Sequence, residues 1–127
     1  MSTTSPIYVA VVDDDEYFCR SLGRLLRAAG IQAVTYDSAE AFLVDTKRPR
    51  FDCLVLDVQL RGISGIELAE RLVAEGGHAP FIFITAHEDP ETRAGAFAVG
   101  CAAYFRKTHS GADVIDAIHR AAEVDRK

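Results

Sequence analysis

The residues of this chain that could carry out chemistry each follow a short apolar segment. They are four aspartates, a threonine and a lysine: Asp13, Asp14, Asp15, Asp57, Thr85 and Lys107. Carboxylates suit a hard divalent cation such as Mg²⁺, while a hydroxyl and an ammonium can hold phosphoryl oxygens. A cation beside Asp57 would let this carboxylate attack phosphorus in an anionic donor. These residue types therefore predict transfer of a phosphoryl group to Asp57.

The apolar segments have the β-branched composition of buried strands. There are five of them, separated by longer segments of helical period: Ile7–Val12, Ile31–Tyr36, Phe51–Asp57, Phe81–Thr85 and Ala102–Phe105. Strands that alternate with helices favour a parallel sheet with right-handed crossovers. The spacing predicts an α/β fold, a doubly wound five-stranded parallel sheet in the flavodoxin-like order 2-1-3-4-5 rather than a barrel.

The segments between the strands carry helix start and stop signals. We expect helices to begin after Asp15, Ser38, Ser64, Asp89 and Ser110, since these are N-cap residue types. The first helix should end before Gly30, in a left-handed cap, and should bury one face: Phe18, Leu22, Leu25, Leu26 and Ala29. These elements would place the chemistry-bearing residues in the loops that follow the strands.

In a parallel sheet these loops lie at one edge, so the carboxylates, the hydroxyl and the ammonium would converge in one crevice. Two carboxylates about 4 Å apart repel by roughly 4 kcal/mol at an effective dielectric of 20. Each residue alone has a simpler explanation: an aspartate can cap a helix or form a turn, and Lys107 can be a solvated surface lysine. Their joint occurrence at four strand ends favours a cation-binding site.

The composition limits the possible classes of protein. The chain has 127 residues, which fits one domain over 1–127 with a core of about 6–124, and its net charge of −5 argues against nonspecific binding of nucleic acid or anionic membrane. It lacks an apolar run of about 18 residues, and its polar first residues do not resemble a signal peptide. The odd, widely spaced cysteines, Cys19, Cys53 and Cys101, indicate reduced core thiols and a cytoplasmic protein.

Together with their neighbours, the chemistry-bearing residues resemble the receiver domain of two-component response regulators, the CheY-like domains of phosphorelay signal transduction. The resemblance covers about residues 6–124, and its motifs are Val11–Asp15, Val55–Asp57, Gly62–Leu68, Ile84–Ala86 and Tyr104–Lys107. The stretch Ile82–His87 is most similar to receivers whose output domain is a helix-turn-helix DNA binder.

The resemblance implies a role for each site residue. Asp57 would accept a phosphoryl group from a sensor histidine kinase or a phosphotransfer protein. Mg²⁺ would be bound directly by Asp14 and Asp57, through water by Asp13, and by the backbone carbonyl of Gln59. The family's phosphoryl contacts correspond to Thr85 and Lys107.

Further positions match the residues that respond to phosphorylation or control its lifetime. Tyr104 occupies the aromatic switch position, which turns inward when Thr85 moves toward phosphate. Gln59 and His87 flank the path of attacking water and would tune dephosphorylation, although an exposed loop histidine is the simpler expectation for His87.

The chain departs from the family pattern at two positions where proline is usual. Thr108 follows Lys107, and because a cis bond to a non-proline residue costs about 2.5–4 kcal/mol, we expect a trans bond and a displaced loop. Arg61 stands in the other position; its guanidinium could reach phosphate or Asp57, but an orientation toward solvent is favoured.

Three functions are compatible with these residues. The favoured one is a phosphorylation-dependent switch that catalyses only its own phosphoryl transfer and hydrolysis, either freestanding or part of a longer regulator. It would act on a downstream protein or a missing output domain, could form a homodimer, and would not itself contact nucleic acid or membrane. The alternative is a phosphate-independent interaction module of the same fold. A true aspartyl phosphatase is disfavoured because Gln59 stands where such enzymes have a second aspartate.

Overall fold

The fold is that of a computed structural model, which describes residues 6–87 and 89–125. Five parallel strands form one sheet in the order β2-β1-β3-β4-β5: β1 Tyr8–Val12, β2 Gln32–Tyr36, β3 Cys53–Asp57, β4 Phe81–Thr85 and β5 Ala103–Arg106. The predicted strand order is confirmed, and the strand bounds differ from those expected by at most two residues. The expectation for the polar N-terminal residues 1–5 lies outside the described part of the chain.

A helix follows each strand: α1 Glu16–Ala28, α2 Ala39–Val44, α3 Gly65–Glu75, α4 Pro90–Ala98 and α5 Gly111–Asp125. The side chains of all five predicted caps accept a hydrogen bond from a backbone N–H in the first turn of their helix: Asp15, Ser38, Ser64, Asp89 and Ser110. Gly30 follows α1 with a φ of 82°, the left-handed conformation expected for the residue that ends a helix. The local signals therefore predicted all five helix starts correctly.

The hydrophobic core lies in two layers, one on each face of the sheet. One layer packs α2, α3 and α4 against the sheet through residues such as Phe42, Leu68 and Phe83. The other packs α1 and α5 through residues such as Leu26 and Ile118. All residues of β3 and β4 are buried, which explains why these strands are apolar up to the polar residue that ends each, Asp57 and Thr85.

The helical face predicted for α1 is only partly correct. Leu22 and Leu26 are buried as expected, but Leu25 is 41% exposed and Ala29 lies on the surface. Cys19 is buried, as expected of a core thiol, although the helical face predicted for α1 did not include it. The buried stripe is therefore rotated slightly, because the helix packs against the sheet on one side and against α5 on the other.

The three cysteines are free thiols, and two of them, Cys19 and Cys53, are buried. Burial raises the pKa of each of these two thiols to about 12, so both stay protonated at neutral pH. Cys101 is only half-buried, so the prediction of core thiols holds for two of the three. Among residues 6–87 and 89–125, no helix combines the length and the apolar character needed to cross a bilayer.

Candidate functional site

The pairing of the strands brings the predicted site residues to one edge of the sheet. Val12 pairs with Leu56, so that the next residues, Asp13 and Asp57, leave their neighbouring strands side by side. Thr85 is the last residue of β4, and its partner in β5 is Arg106, which immediately precedes Lys107. The site is thus assembled from four adjacent strands, β1, β3, β4 and β5, by their common direction.

Three carboxylates form the centre of the site. One oxygen from each of Asp13, Asp14 and Asp57 lies within 4.8 Å of the others. Asp13 and Asp57 are buried, whereas the side chain of Asp14 is 28% exposed. Asp15 does not belong to this group of three and caps α1, where its Oδ1 accepts a hydrogen bond from the Phe18 N–H at 3.1 Å. The convergence expected of the first and third strands is therefore present.

The three carboxylates fit a divalent cation. All their donor atoms are oxygen, the negative charges are close together, and the Asp14 side opens to solvent, which suits an ion that keeps several water ligands. Gln59 is exposed and donates its backbone N–H to Asp57 Oδ1 at 3.0 Å. This hydrogen bond orients the Asp57 carboxylate and leaves its other oxygen, Oδ2, for further contacts.

Lys107 neutralises part of this negative charge. Its Nζ lies 2.9 Å from Asp13 Oδ2, 3.3 Å from Asp57 Oδ2 and 4.0 Å from Asp15 Oδ2. Burial disfavours the ammonium, but the hydrogen bond to Asp13 and the charge of Asp57 outweigh this effect and raise the pKa of Lys107. The lysine is therefore charged, and it is held by two carboxylates rather than by Asp57 alone.

Phe18 contributes to the site although the sequence pattern assigned it only to the core. The Lys107 ammonium lies 4.5 Å from the centroid of its ring, in the arrangement of a cation–π contact. The position of Phe18 one turn after the acidic triplet was the only available signal, and it does not distinguish this contact from ordinary packing. The ring forms one wall of the lysine's surroundings.

The carboxyl group of Asp57 has a strongly raised pKa. Burial is the main cause and the charge of Asp13 adds to it, whereas the Gln59 N–H and Lys107 act in the opposite direction; the result is a pKa of about 7. At neutral pH the Asp57 carboxyl is therefore only partly ionised. A divalent cation would relieve this repulsion.

The Thr85 hydroxyl lies at the same edge but is engaged by its own loop. Its Oγ1 donates to the His87 carbonyl at 2.8 Å and accepts from the His87 N–H at 3.2 Å. Thr85 is fully buried. His87 is exposed, which agrees with the simpler expectation of a solvent-exposed loop histidine. To contact a group on Asp57, the hydroxyl would have to exchange these partners.

Tyr104 is buried in this structure, with 8% of its surface exposed. Its ring centroid lies 6.1 Å from that of Phe97 on α4, and the Arg93 guanidinium lies 5.3 Å from its centroid. The resemblance implies that this ring turns inward when Thr85 moves, and in this structure the Thr85 hydroxyl is held by the His87 backbone. The coupling of the two residues stays a prediction.

Thr108 and Arg61 stand where the receiver family usually has proline, and the structure bears on the expectation for each. The described residues contain no cis peptide bond, so the predicted trans Lys107–Thr108 bond is confirmed. The Arg61 side chain is 94% exposed, as favoured, but its Nε lies 3.7 Å from Asp14 Oδ2, a partner the sequence reasoning did not consider. The backbone N–H of Arg61 donates to the same oxygen at 3.3 Å.

Comparison with known proteins finds a family model and relatives that match most of this chain. A model of the response regulator receiver domain family matches residues 9–119. Nodulation protein W of Bradyrhizobium diazoefficiens is 38% identical over 119 residues, covering 94% of this chain and 52% of that protein. Transcriptional regulatory protein FixJ of Azorhizobium caulinodans is 36% identical over 123 residues, covering 94% of this chain and 58% of that protein.

Solved structures show the same likeness. The crystal structure of a response regulator receiver protein from Burkholderia phymatum has a TM-score of 0.80 and 43% identity, covering 94% of this chain and 96% of that one. This chain spans about half the length of the curated relatives named above.

Proposed function

This chain belongs to the response regulator receiver domains, and on that premise we propose that it is a Mg²⁺-dependent signalling switch in which Asp57 accepts the phosphoryl group. Receiver domains serve phosphorylation-dependent signalling and are not classical enzymes. The observation that supports the proposal most directly is the cluster of Asp13, Asp14 and Asp57 with Lys107 paired to its buried side.

In the proposed reaction, a carboxylate oxygen of Asp57 attacks the phosphorus of a phosphohistidine on a sensor histidine kinase or a phosphotransfer protein. The new O–P bond forms as the N–P bond breaks, and the imidazole leaves and takes up a proton. A Mg²⁺ ion held by Asp13, Asp14, Asp57 and the Gln59 carbonyl would supply charge neutralisation between the carboxylate and the anionic donor. Gln59 keeps the attacking carboxylate in place through its N–H.

The acquired charge provides the switch. Phosphorylation adds about −1.5 to −2 charges at one point. Lys107, now paired with Asp13 and Asp57, would turn to the new oxygens, and Thr85 would release the His87 backbone to do the same. The loops that carry these residues lead into α4 and α5, so a partner that binds this face would distinguish the two states.

We also propose how the phosphoryl group is lost and where in the cell the domain acts. Water would hydrolyse the aspartyl phosphate, and the exposed side chains of Gln59, Arg61 and His87 border the carboxylate edge from which it would come. The domain would act in the cytoplasm on a downstream protein, or on an output domain of a longer regulator.

Incubation with Mg²⁺ and acetyl phosphate tests the proposal. The intact mass of the protein should increase by one phosphoryl group, and this increase should be absent in Asp57→Asn and in the presence of EDTA. The matched control is Asp116→Asn, an exposed aspartate on α5, which should be phosphorylated like the wild type.

The alternative of a phosphate-independent interaction module has one observation in its favour. Tyr104 is buried and packs beside Phe97 and Arg93 of α4, so the face formed by α4 and β5 would have one fixed shape. A folded wild-type protein that gains no mass under these conditions would support this alternative and contradict the switch.

A further inference from the structure

Two cations contact the acidic cluster within residues 6–87 and 89–125, and they serve different carboxylates. Lys107 lies on the buried side and pairs with Asp13, Asp15 and Asp57. Arg61 lies on the solvent side, where its Nε is 3.7 Å from Asp14 Oδ2. The carboxylate that is most open to solvent, and hence to an arriving ion, therefore has an arginine as its counter-charge.

The backbone keeps Arg61 at this place although its side chain is in water. The loop between β3 and α3 is held by two carboxylates from other parts of the chain. Asp14 Oδ2 accepts the Arg61 N–H at 3.3 Å, and Glu40 Oε2 accepts the Ile63 N–H at 3.2 Å. Glu40 is the second residue of α2, so the loop is also tied to a helix that contributes no carboxylate to the site. These backbone hydrogen bonds keep the guanidinium near Asp14 although the Arg61 side chain is exposed to solvent.

We propose that Arg61 is a positioning residue that lowers the affinity of this site for divalent cations by competing for Asp14. The inference rests on the proposed function, because it assumes that Asp14 is a metal ligand. An ion that takes Asp14 Oδ2 must displace the Arg61 side chain from this oxygen and must then remain near its positive charge. The competition adjusts the Mg²⁺ concentration at which Asp57 becomes able to react, and Lys107 cannot substitute for it because it contacts the other carboxylates.

The effect should be modest and should depend on salt. A side chain that is 94% exposed interacts through water, so we expect a change of about two- to fivefold in the Mg²⁺ dissociation constant, the size of an exposed ion pair. Screening reduces such an interaction when the Debye length falls from about 10 Å at 0.1 M salt to about 3 Å at 1 M. Loss of the difference at high salt would distinguish a charge effect from a change in loop structure.

The test is a titration with Mg²⁺ alone, followed by amide chemical shifts of residues 13–15 and 57–59, since the chain contains no tryptophan to report binding. Arg61→Ala should bind Mg²⁺ about two- to fivefold more tightly than the wild type at low salt, and equally at 1 M salt. Arg61→Lys should remain close to the wild type because the charge is kept. Arg120→Ala is the matched control: it removes an exposed arginine beside Pro80 and Ala102, at the opposite edge of the sheet, and should change nothing.

Each other outcome has a definite meaning. Equal Mg²⁺ affinity of Arg61→Ala and the wild type at low salt, or weaker binding by the variant, would overturn the competition. The same increase in Arg120→Ala would also overturn it, because the effect would then be one of net charge. Absence of saturable shifts in every protein would refute the metal site itself, and the inference with it.

Discussion

Replacement of Asp57 by asparagine should stabilise the metal-free protein, and the gain should grow with pH. In the folded chain the pKa of Asp57 rises from its ordinary value of 3.8 to about 7, chiefly because the group is buried and secondly because Asp13 lies beside it. Between pH 3.8 and about pH 7 the Asp57 carboxyl stays protonated in the folded protein, whereas in the unfolded chain it has released its proton. Stability is therefore lost as the pH rises through this window, and the full cost is present above pH 7.

The size of the effect follows from the same values. One pKa unit corresponds to about 1.4 kcal/mol, so the linkage lowers the free energy of unfolding by about 2 to 3 kcal/mol between pH 5 and pH 8. Asp57→Asn removes this contribution but also removes the ion pair with Lys107. The pKa of about 7 already includes the attraction of Lys107, so the loss of this ion pair is part of the expected change with pH. A loss of packing or of hydrogen bonds that does not depend on ionisation is the same at both pH values and cancels in that change.

Urea unfolding followed by circular dichroism, in EDTA at pH 5 and at pH 8, measures this change. The stability difference between Asp57→Asn and the wild type should increase by about 2 to 3 kcal/mol from the lower to the higher pH. The exposed variant Asp116→Asn should show no such trend. Mg²⁺ at pH 8 should stabilise the wild type more than Asp57→Asn, since an ion that binds only the folded state adds to its stability. A difference that is the same at both pH values would refute the account of Asp57 as a crowded, buried carboxyl.

Two further predictions concern the start of α3, which follows the site loop. Gly65→Ala should lower the free energy of unfolding in urea by about 1–3 kcal/mol, because the new Cβ would overlap the backbone carbonyl of Asp57. Gly95→Ala is the control, since its Cβ would lie 3.8 Å from its nearest neighbour, a side-chain carbon of Ile66. An equal loss of stability in both variants would contradict this reason. Ser64→Ala should cost about 1 kcal/mol, because the helix loses its N-cap hydrogen bond. A loss that is within error of zero would show that solvent replaces the cap.

The fold was predictable because its signals are local. Ser38, Ser64 and Asp89 begin helices through a hydrogen bond to a residue two or three positions along, so the sequence itself contains both partners. The β-branched segments and their spacing then allow few topologies, since parallel strands require right-handed crossovers. The ends of the strands were predicted to within two residues for this reason, whereas the buried face of α1 depended on two packing partners and was predicted only in part.

The site was predictable in its membership but not in its pairings. That Asp13, Asp57 and Lys107 would meet follows from strand direction alone, because the carboxyl ends of parallel strands share an edge. Which oxygen faces which cation depends on a few tenths of an ångström and on side-chain rotamers. The contact of Lys107 with Phe18 and the engagement of Thr85 by His87 are of this second kind.

By itself, the sequence determined the alternation of strands and helices, the acidic, hydroxyl and basic residues at the strand ends, and the family to which they point. Only the tertiary structure decided that Arg61 pairs with Asp14, that Lys107 pairs with Asp13 as well as with Asp57, and that Tyr104 is buried. The physical reason is range: backbone periodicity and capping act over a few residues, whereas Arg61 and Asp14 are 47 positions apart and Lys107 and Asp57 are 50 apart. Contacts over such separations exist only once the sheet has brought the loops together.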